Sequence, residues 1–156
     1  MRRVFFLGVV LQLAAAACGR PFDVKSAPGF VEVHEEEPAY DFRAVVPEGV
    51  AVAVRAVDID EGQPRDVVFW ERAFTLRTRE LDGYALVSSG EAKSLDGTAG
   101  RELVFGHDEQ GKPYVYRVRL FVSGAKLIVA EAGGARDEME RWRPSVDWML
   151  SSVKVR

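Results

Sequence analysis

Residues 102–150 read ELVFGHDEQGKPYVYRVRLFVSGAKLIVAEAGGARDEMERWRPSVDWML, a segment that predicts most of a sheet and the helix that packs on it. Apolar and polar residues alternate over 114–122, which predicts a strand with two different faces. Turn residues at 108–112 and at Ser123-Gly124 bound this strand. The following run, 126–132, is almost entirely apolar, as is typical of a strand buried on both faces. The stretch therefore predicts antiparallel strands joined by short turns.

The end of this stretch predicts an amphipathic helix that packs on the sheet. Its apolar residues recur at intervals of three and four, which places them on one helical face. They are Met139, Trp142, Val146, Met149, Leu150 and Val153. Pro144 lies inside the pattern, where it removes a backbone donor and clashes with the preceding turn. We expect one or two helical turns over 136–141 and a second piece over 145–151.

Earlier residues supply further strands and one more helix. Residues 50–57 alternate as a strand, and 66–81 carry apolar residues mostly at helical spacing. Residues 84–95 and 98–106 are extended on either side of Asp96-Gly97, a strong hairpin signal. The predicted fold class is α+β, an antiparallel β-sheet meander packed with two main helices.

Composition limits the range of functions. The chain has 156 residues, of which 47% are hydrophobic and 29% charged, which fits one soluble globular domain. Its net charge is −3, and no basic stripe is present. Because nucleic-acid affinity depends largely on Lys and Arg contacts to phosphates, we expect no nucleic-acid partner.

The first residues have the order of a secretory signal peptide. Arg2 and Arg3 are followed by an apolar segment, 4–13, and then by small residues, 14–17. The apolar segment is shorter than the roughly 20 residues that span a bilayer as a helix. We interpret 1–17 as a lipoprotein signal peptide for the reason that follows.

Cys18 is the only cysteine in the chain and directly follows the small residues. The stretch 13–19, LAAAACG, resembles a bacterial lipobox, although Ala15 stands where leucine is favoured. The resemblance implies diacylglycerol transfer to the Cys18 sulfur, cleavage before it and acylation of the new amino terminus. The alternative is an ordinary signal peptide that leaves a free thiol. Gly19 favours the outer membrane, at its periplasmic face.

Beyond the lipidation site, we divide the mature chain into a tether and one domain. Residues 18–29 hold two prolines and little periodicity, which predicts a tether that lets the domain stand just off the bilayer. Residues 30–156 form the single α+β domain. It begins with two short extended pieces, 30–33 and 40–46.

Residues that carry enzymatic chemistry are sparse. The two histidines, His34 and His107, lie near no Gly-x-Ser-x-Gly motif, and Ser88-Ser89 fits the solvated face of a strand. Two isolated histidines do not supply a zinc site. The acidic loop 58–62 lacks the glutamate that an EF-hand needs, which leaves only a looser calcium site open. We predict no catalytic residue, no metal ligand and no cofactor.

Aromatic residues are the remaining candidates for binding. Trp70 and Trp142 lie on the apolar stripes and are expected in the core. Phe69 and Trp148 lie off these stripes and are candidates for the edge of a groove. The sheet tyrosines Tyr84, Tyr114 and Tyr116 are candidates for its lining.

The order of these features resembles the PsbP-like fold, which is shared with DcrB-type bacterial lipoproteins and the Ran-binding Mog protein. The resemblance covers 40–155 and rests on element order and hydrophobic placement. The lipobox, the turn 46–49 and a helix ending near Gly83-Tyr84 come first. The meander motifs follow, namely 96–102, 116–122 and 127–129. This resemblance implies an α/β/α sandwich and a non-enzymatic accessory or binding role.

Three functional hypotheses remain open at this point. The first is a membrane-anchored bacterial lipoprotein whose domain is an accessory or binding module in the cell envelope. It would contact the membrane through its lipid anchor and an unknown protein or small molecule through the domain. The second is a structural interaction protein that docks an envelope complex. The third is an enzyme with an unrecognised carboxylate site.

Overall fold

The computed structural model describes residues 19–34 and 39–156. They form nine strands and three helices. The strands are β1 Phe22–Asp23, β2 Val31–Glu32, β3 Phe42–Val45, β4 Ala51–Asp58, β5 Ala85–Lys93, β6 Ala99–Glu109, β7 Lys112–Ser123, β8 Lys126–Ala135 and β9 Lys154–Val155. The helices are α1 Val67–Asp82, α2 Arg136–Arg141 and α3 Arg143–Ser151.

Seven of these strands make one antiparallel sheet in the order β2-β3-β4-β8-β7-β6-β5. Strand β8 lies at its centre, which explains the nearly continuous apolar run in its sequence. Helix α1 packs on one face of the sheet, and α2 and α3 pack on the other. The predicted α+β class and the PsbP-like α/β/α sandwich are confirmed.

Local signals bound helix α1 at both ends. The Asp66 carboxylate accepts a hydrogen bond from the Val68 N–H at 3.0 Å, which satisfies a donor of the first turn. Gly83 ends the helix with φ of 70°, a left-handed conformation that glycine adopts without a Cβ penalty. Val67, Trp70 and Phe74 pack from α1 against the sheet.

Pro144 separates two helices. Helix α2 ends at Arg141, Trp142 has φ of −90° and ψ of 5°, and α3 begins at Arg143. Proline is tolerated in a first turn because its missing N–H has no intrahelical acceptor there. The expected two-piece helix is therefore confirmed, with the second piece starting two residues earlier than predicted.

Strands β6 and β7 extend further than the predicted turn at 108–112. Asp108 pairs with Pro113, and Glu109 pairs with Lys112. Only Gln110 and Gly111 remain in the turn, both with positive φ. The charged residues here are therefore part of a long hairpin.

The segment predicted as a free tether is packed against the domain from Phe22 onward. Strand β1 pairs with β9, and the Phe22 side chain is only 1% exposed. Ala27 is also buried in the same core, on the α2–α3 face. The prediction of a tether over 18–29 is wrong for these residues, because an apolar side chain and a distant strand fix them.

Candidate functional site

Each helical layer covers only part of the sheet. Helix α1 lies over β5, β6 and β7, whereas α2 and α3 contact β4, β7 and β8 on the other face. On the α1 face, the surface of β4 and the adjoining part of β8 is therefore left without a helix above it. Ala51, Ala53 and Gly133, which have small side chains or none, line a cavity on this surface.

Glu131 is the buried acid of this surface. It lies in β8 opposite Val118 and Ala53, so its side chain points to the α1 face. The residue is 4% exposed. The Tyr116 hydroxyl donates a hydrogen bond to Glu131 Oε2 at 2.5 Å. An Arg55 guanidinium nitrogen lies 3.9 Å from the same oxygen.

Both members of this ion pair keep hydrogen-bonding capacity. Within the part of the chain that the structure describes, Glu131 Oε1 and Arg55 Nε are buried and have no hydrogen-bond partner. Leaving a buried charged group partly unsatisfied costs free energy and is uncommon in native proteins. The pair is therefore a partly unsatisfied polar centre, and the side chains of both residues line one of the adjoining cavities.

Two tyrosines complete the cluster. The Arg55 guanidinium lies 5.5 Å from the centre of the Tyr40 ring, a cation–π contact. Burial and the neighbouring Glu131 charge raise the pKa of Tyr116. The same two causes raise the pKa of Tyr40, which is less buried. Both phenols stay protonated at neutral pH and remain hydrogen-bond donors.

Two cavities meet at these side chains. One has a volume of about 160 Å³ and reaches from Tyr40 across the alanine floor. The other has a volume of about 210 Å³ and reaches toward Arg77 and Asp82 at the end of α1. Tyr40, Tyr116 and Glu131 line both. We call Tyr40, Arg55, Tyr116, Glu131 and these two cavities the Glu131 site.

Two larger grooves carry charges that are already paired. In a groove of about 430 Å³ on the α2–α3 face, Arg117 binds Asp147 at 2.5 Å and Glu102 at 2.6 Å. In a groove of about 500 Å³ beside α1, Arg101 binds Glu71 through two hydrogen bonds of 2.7 and 3.1 Å. The Glu131 site is smaller, but its charged pair is the less satisfied one.

The predicted aromatic groove is not assembled. Trp148 lies on α3 and is 48% exposed, whereas Phe69 lies on α1 at the other face and is 41% exposed. Phe69 packs edge-on against Trp70. Tyr114 and Tyr116 point to the α1 face, so Trp148 shares no surface with them. Tyr116 belongs to the Glu131 site, which neither Phe69 nor Trp148 lines.

Other sequence candidates lie apart from this site. His107 lies 3.3 Å from the Gly83 carbonyl oxygen, and Asp58 pairs with Lys126 at 2.6 Å. Within 19–34 and 39–156, no three Asp, Glu, His or Cys side chains are placed to share a metal ion. None of the described helices is long and apolar enough to cross a membrane. Cys18 and the predicted signal peptide, 1–17, lie outside the described residues.

Sequence reasoning missed Glu131, Arg55 and Tyr40. The available signal was a single acid in the run LIVAEA, residues 127–132, where a strand buried on both faces holds a charge. A charge in such a place requires a partner, which points to a site. The partners themselves come from β4 and from the residues before β3, and local sequence does not identify them.

The comparisons with known proteins concern the fold. LpqN of Mycobacterium tuberculosis, described as involved in cell envelope biogenesis, is similar with a TM-score of 0.66 and 13% identity over 86% of this chain and 82% of its own. CyanoP, the PsbP of Synechocystis sp. PCC 6803, has a TM-score of 0.57 and 14% identity, over 94% of this chain and 99% of its own. Protein PA94 of Pseudomonas aeruginosa, described as of unknown function, has a TM-score of 0.55 and 10% identity, over 91% of this chain and 88% of its own. No protein-family model and no curated protein sequence matches the chain.

Proposed function

We propose that this chain is a lipid-anchored protein of the bacterial cell envelope whose domain binds a small polar ligand at the Glu131 site. The domain then serves as an accessory binding module rather than as an enzyme. The observation that carries the binding role is the Glu131–Arg55 pair, whose side chains line a cavity of about 210 Å³ and whose hydrogen-bonding groups the protein does not fully satisfy. Convergent polar groups in a small cavity are typical of ligand sites.

The ligand class follows from this chemistry. The Glu131 carboxylate accepts hydrogen bonds, and the Arg55 guanidinium donates them. A ligand therefore needs a donor and an acceptor close together, in a molecule small enough for cavities of about 160 and 210 Å³. The Tyr40 and Tyr116 rings provide apolar contact beside these polar groups.

The envelope location rests on the sequence of the first 19 residues and on one comparison. The order of charge, apolar segment, small residues and Cys18 supports export and lipidation. LpqN, which has a similar fold, is described as acting in cell envelope biogenesis. Acylation at Cys18 would hold the domain at the membrane, at the periplasmic face of the outer membrane in a diderm cell.

Native mass spectrometry of the full-length protein, released from membranes in mild detergent, tests ligand binding. We expect wild-type protein to carry a non-covalent small molecule that the Glu131→Gln variant loses. Glu102→Gln is the matched control, since Glu102 is a partly buried carboxylate paired with Arg117 in another groove. Thermal unfolding of each variant confirms that it is folded.

The outcomes of this experiment are distinct. Wild-type protein with no ligand, or a ligand lost equally by both variants, would contradict binding at the Glu131 site. Recovery of one stoichiometric protein in place of a small molecule would favour the docking of an envelope complex.

The anchor has its own test. Cys18→Ala should move the protein from the membrane fraction to the soluble fraction and remove the mass of the acyl groups. Unchanged partition together with unchanged mass would contradict lipidation.

A further inference from the structure

We infer that the end of the sandwich built from β1, β9 and the two neighbouring turns faces the bilayer and touches its lipid headgroups. This inference rests on the proposed lipidation of Cys18. We call this region the anchor end and define it by β1, β9, the β5–β6 turn 94–98 and the β7–β8 turn 123–126.

The residues that follow Cys18 are fixed to the domain from Pro21 onward. Strand β1 pairs with β9, and the Phe22 side chain is buried in the core. The Arg156 guanidinium binds Asp23 through two hydrogen bonds of 2.9 and 2.6 Å. The Arg156 N–H also donates to the Pro21 carbonyl oxygen at 3.0 Å. These contacts hold the start of the mature chain in one place.

The chain between the lipid and this fixed point is very short. Cys18 lies four residues before Phe22, and four residues span at most about 14 Å even when fully extended. Gly19, the residue after Cys18, already lies against the domain: a methyl group on its Cα would be 3.7 Å from the Arg156 guanidinium. An acylated Cys18 would therefore bring the bilayer to the surface of the domain.

The residues around this point are connected by hydrogen bonds. The Leu95 N–H donates to the Val153 carbonyl oxygen at 2.7 Å, which joins the β5–β6 turn to the residues before β9. The Val155 N–H donates to Asp96 Oδ1 at 2.7 Å. The Ser123 hydroxyl donates to the Arg156 carbonyl oxygen at 3.1 Å. These contacts make the anchor end one continuous surface around Phe22.

The chemistry of the anchor end fits lipid headgroups. Leu95 is 60% exposed at the tip of its turn. Lys154 in β9 and Lys93, which directly precedes the β5–β6 turn, are exposed and, within the described residues, pair with no carboxylate. By contrast, Asp23 binds Arg156, and Asp96 accepts hydrogen bonds from Ser94, Thr98 and the Val155 N–H. An exposed leucine beside free lysines is suited to the phosphate level of a bilayer.

The opposite end points away from the membrane. Strand β7 runs for 12 residues from the β6–β7 turn to the anchor end. At about 3.4 Å per residue, Gln110 in that turn lies roughly 40 Å from the anchor end. A membrane-bound domain in this orientation carries its long β6–β7 hairpin outward.

Site-specific fluorescence quenching tests this orientation in the acylated full-length protein. Cys18 is the only native cysteine and is blocked by the lipid, so one added cysteine can be labelled selectively. Leu95→Cys reports on the anchor end, and Gln110→Cys is the matched control in the other exposed turn. Both labelled proteins are bound to phosphatidylcholine vesicles that contain a lipid with a spin label in its headgroup.

We expect quenching at position 95 to be several-fold greater than at position 110. Inserting about 15 Gly and Ser residues between Gly19 and Arg20 should remove most of this difference, because it frees the domain from the surface. Equal quenching at both positions in the protein without the insertion would overturn the orientation. Failure of the protein to float with the vesicles would instead contradict lipidation, so the two proposals fail in different ways.

Discussion

The hydrogen bond from Tyr116 to Glu131 gives a sharp prediction for stability. Tyr116→Phe removes the 2.5 Å bond to Glu131 Oε2 and leaves the carboxylate with the Tyr40 hydroxyl and with Arg55 at 3.9 Å. The ring contacts persist, because Phe105 and Tyr84 lie 5.9 and 5.6 Å from the Tyr116 ring centre. A hydrogen bond to a buried charged group contributes about 1.5–3 kcal/mol. We expect the free energy of unfolding to fall by about 2 kcal/mol.

Urea unfolding in a Cys18→Ala background measures this change. The midpoint should fall with an unchanged slope, and the melting temperature should fall by roughly 8 °C. Tyr114→Phe is the control, because it makes the same substitution two residues away, where the structure records no hydrogen bond to the hydroxyl. Its effect should stay within about 0.5 kcal/mol. Equal effects of the two substitutions would refute the view that Tyr116 holds Glu131.

Three further predictions follow from single groups. Because the pKa of Tyr116 is raised in the folded protein, only the unfolded chain ionises this phenol near its ordinary value of 10.0. The free energy of unfolding should therefore fall above about pH 10. The urea midpoints of wild type and Tyr116→Phe should converge there. Hydrogen bonds from Thr98 and Ser94 lower the pKa of Asp96 from 3.8 to about 2. The contribution of Asp96 to stability should therefore be complete above about pH 4 and be lost as pH falls toward 2. In acid, the stability of Asp96→Asn should depend less steeply on pH than that of Asp60→Asn, a change in another exposed loop. Gly100→Ala places a Cβ 2.4 Å from the Leu120 carbonyl oxygen and the Phe121 ring. The free energy of unfolding, measured in urea, should fall by about 3 kcal/mol or more. Gly90→Ala, which adds a Cβ in open space, should change it little.

The elements of the fold were predictable where their signals are local. Asp66 and Gly83 mark the ends of α1 within the helix's own sequence, and Pro144 marks the break before α3. Alternation likewise gives the faces of β7, since Tyr116 and Arg117 point to opposite sides. These signals depend on backbone chemistry within a few residues and need no knowledge of distant partners.

The features that failed depend on pairing between distant parts of the chain. Phe22 looked like part of a tether because its partner strand, β9, lies more than a hundred residues later. Phe69 and Trp148 were grouped because both lie off an apolar stripe, but local sequence does not state which helix covers which face. Glu131 required knowledge that β8 pairs with β4 and β7, which brings Ala53 and Val118 beside it.

The pairing of β1 with β9 brings the beginning and the end of the described domain together. Gly19 lies beside Arg156, and the hydrogen bonds between Asp23 and Arg156 join β1 to the residue after β9. The fold therefore has nearly circular connectivity, and its sequence can be cut elsewhere with little change in packing. A permuted chain that joins Arg156 to Gly19 through a short linker and opens between Gln110 and Gly111 should keep every strand pair of the sheet, because that turn holds no core residue. A purification tag is likewise better placed in that turn than after Arg156, where it would disturb the hydrogen bonds between Arg156 and Asp23.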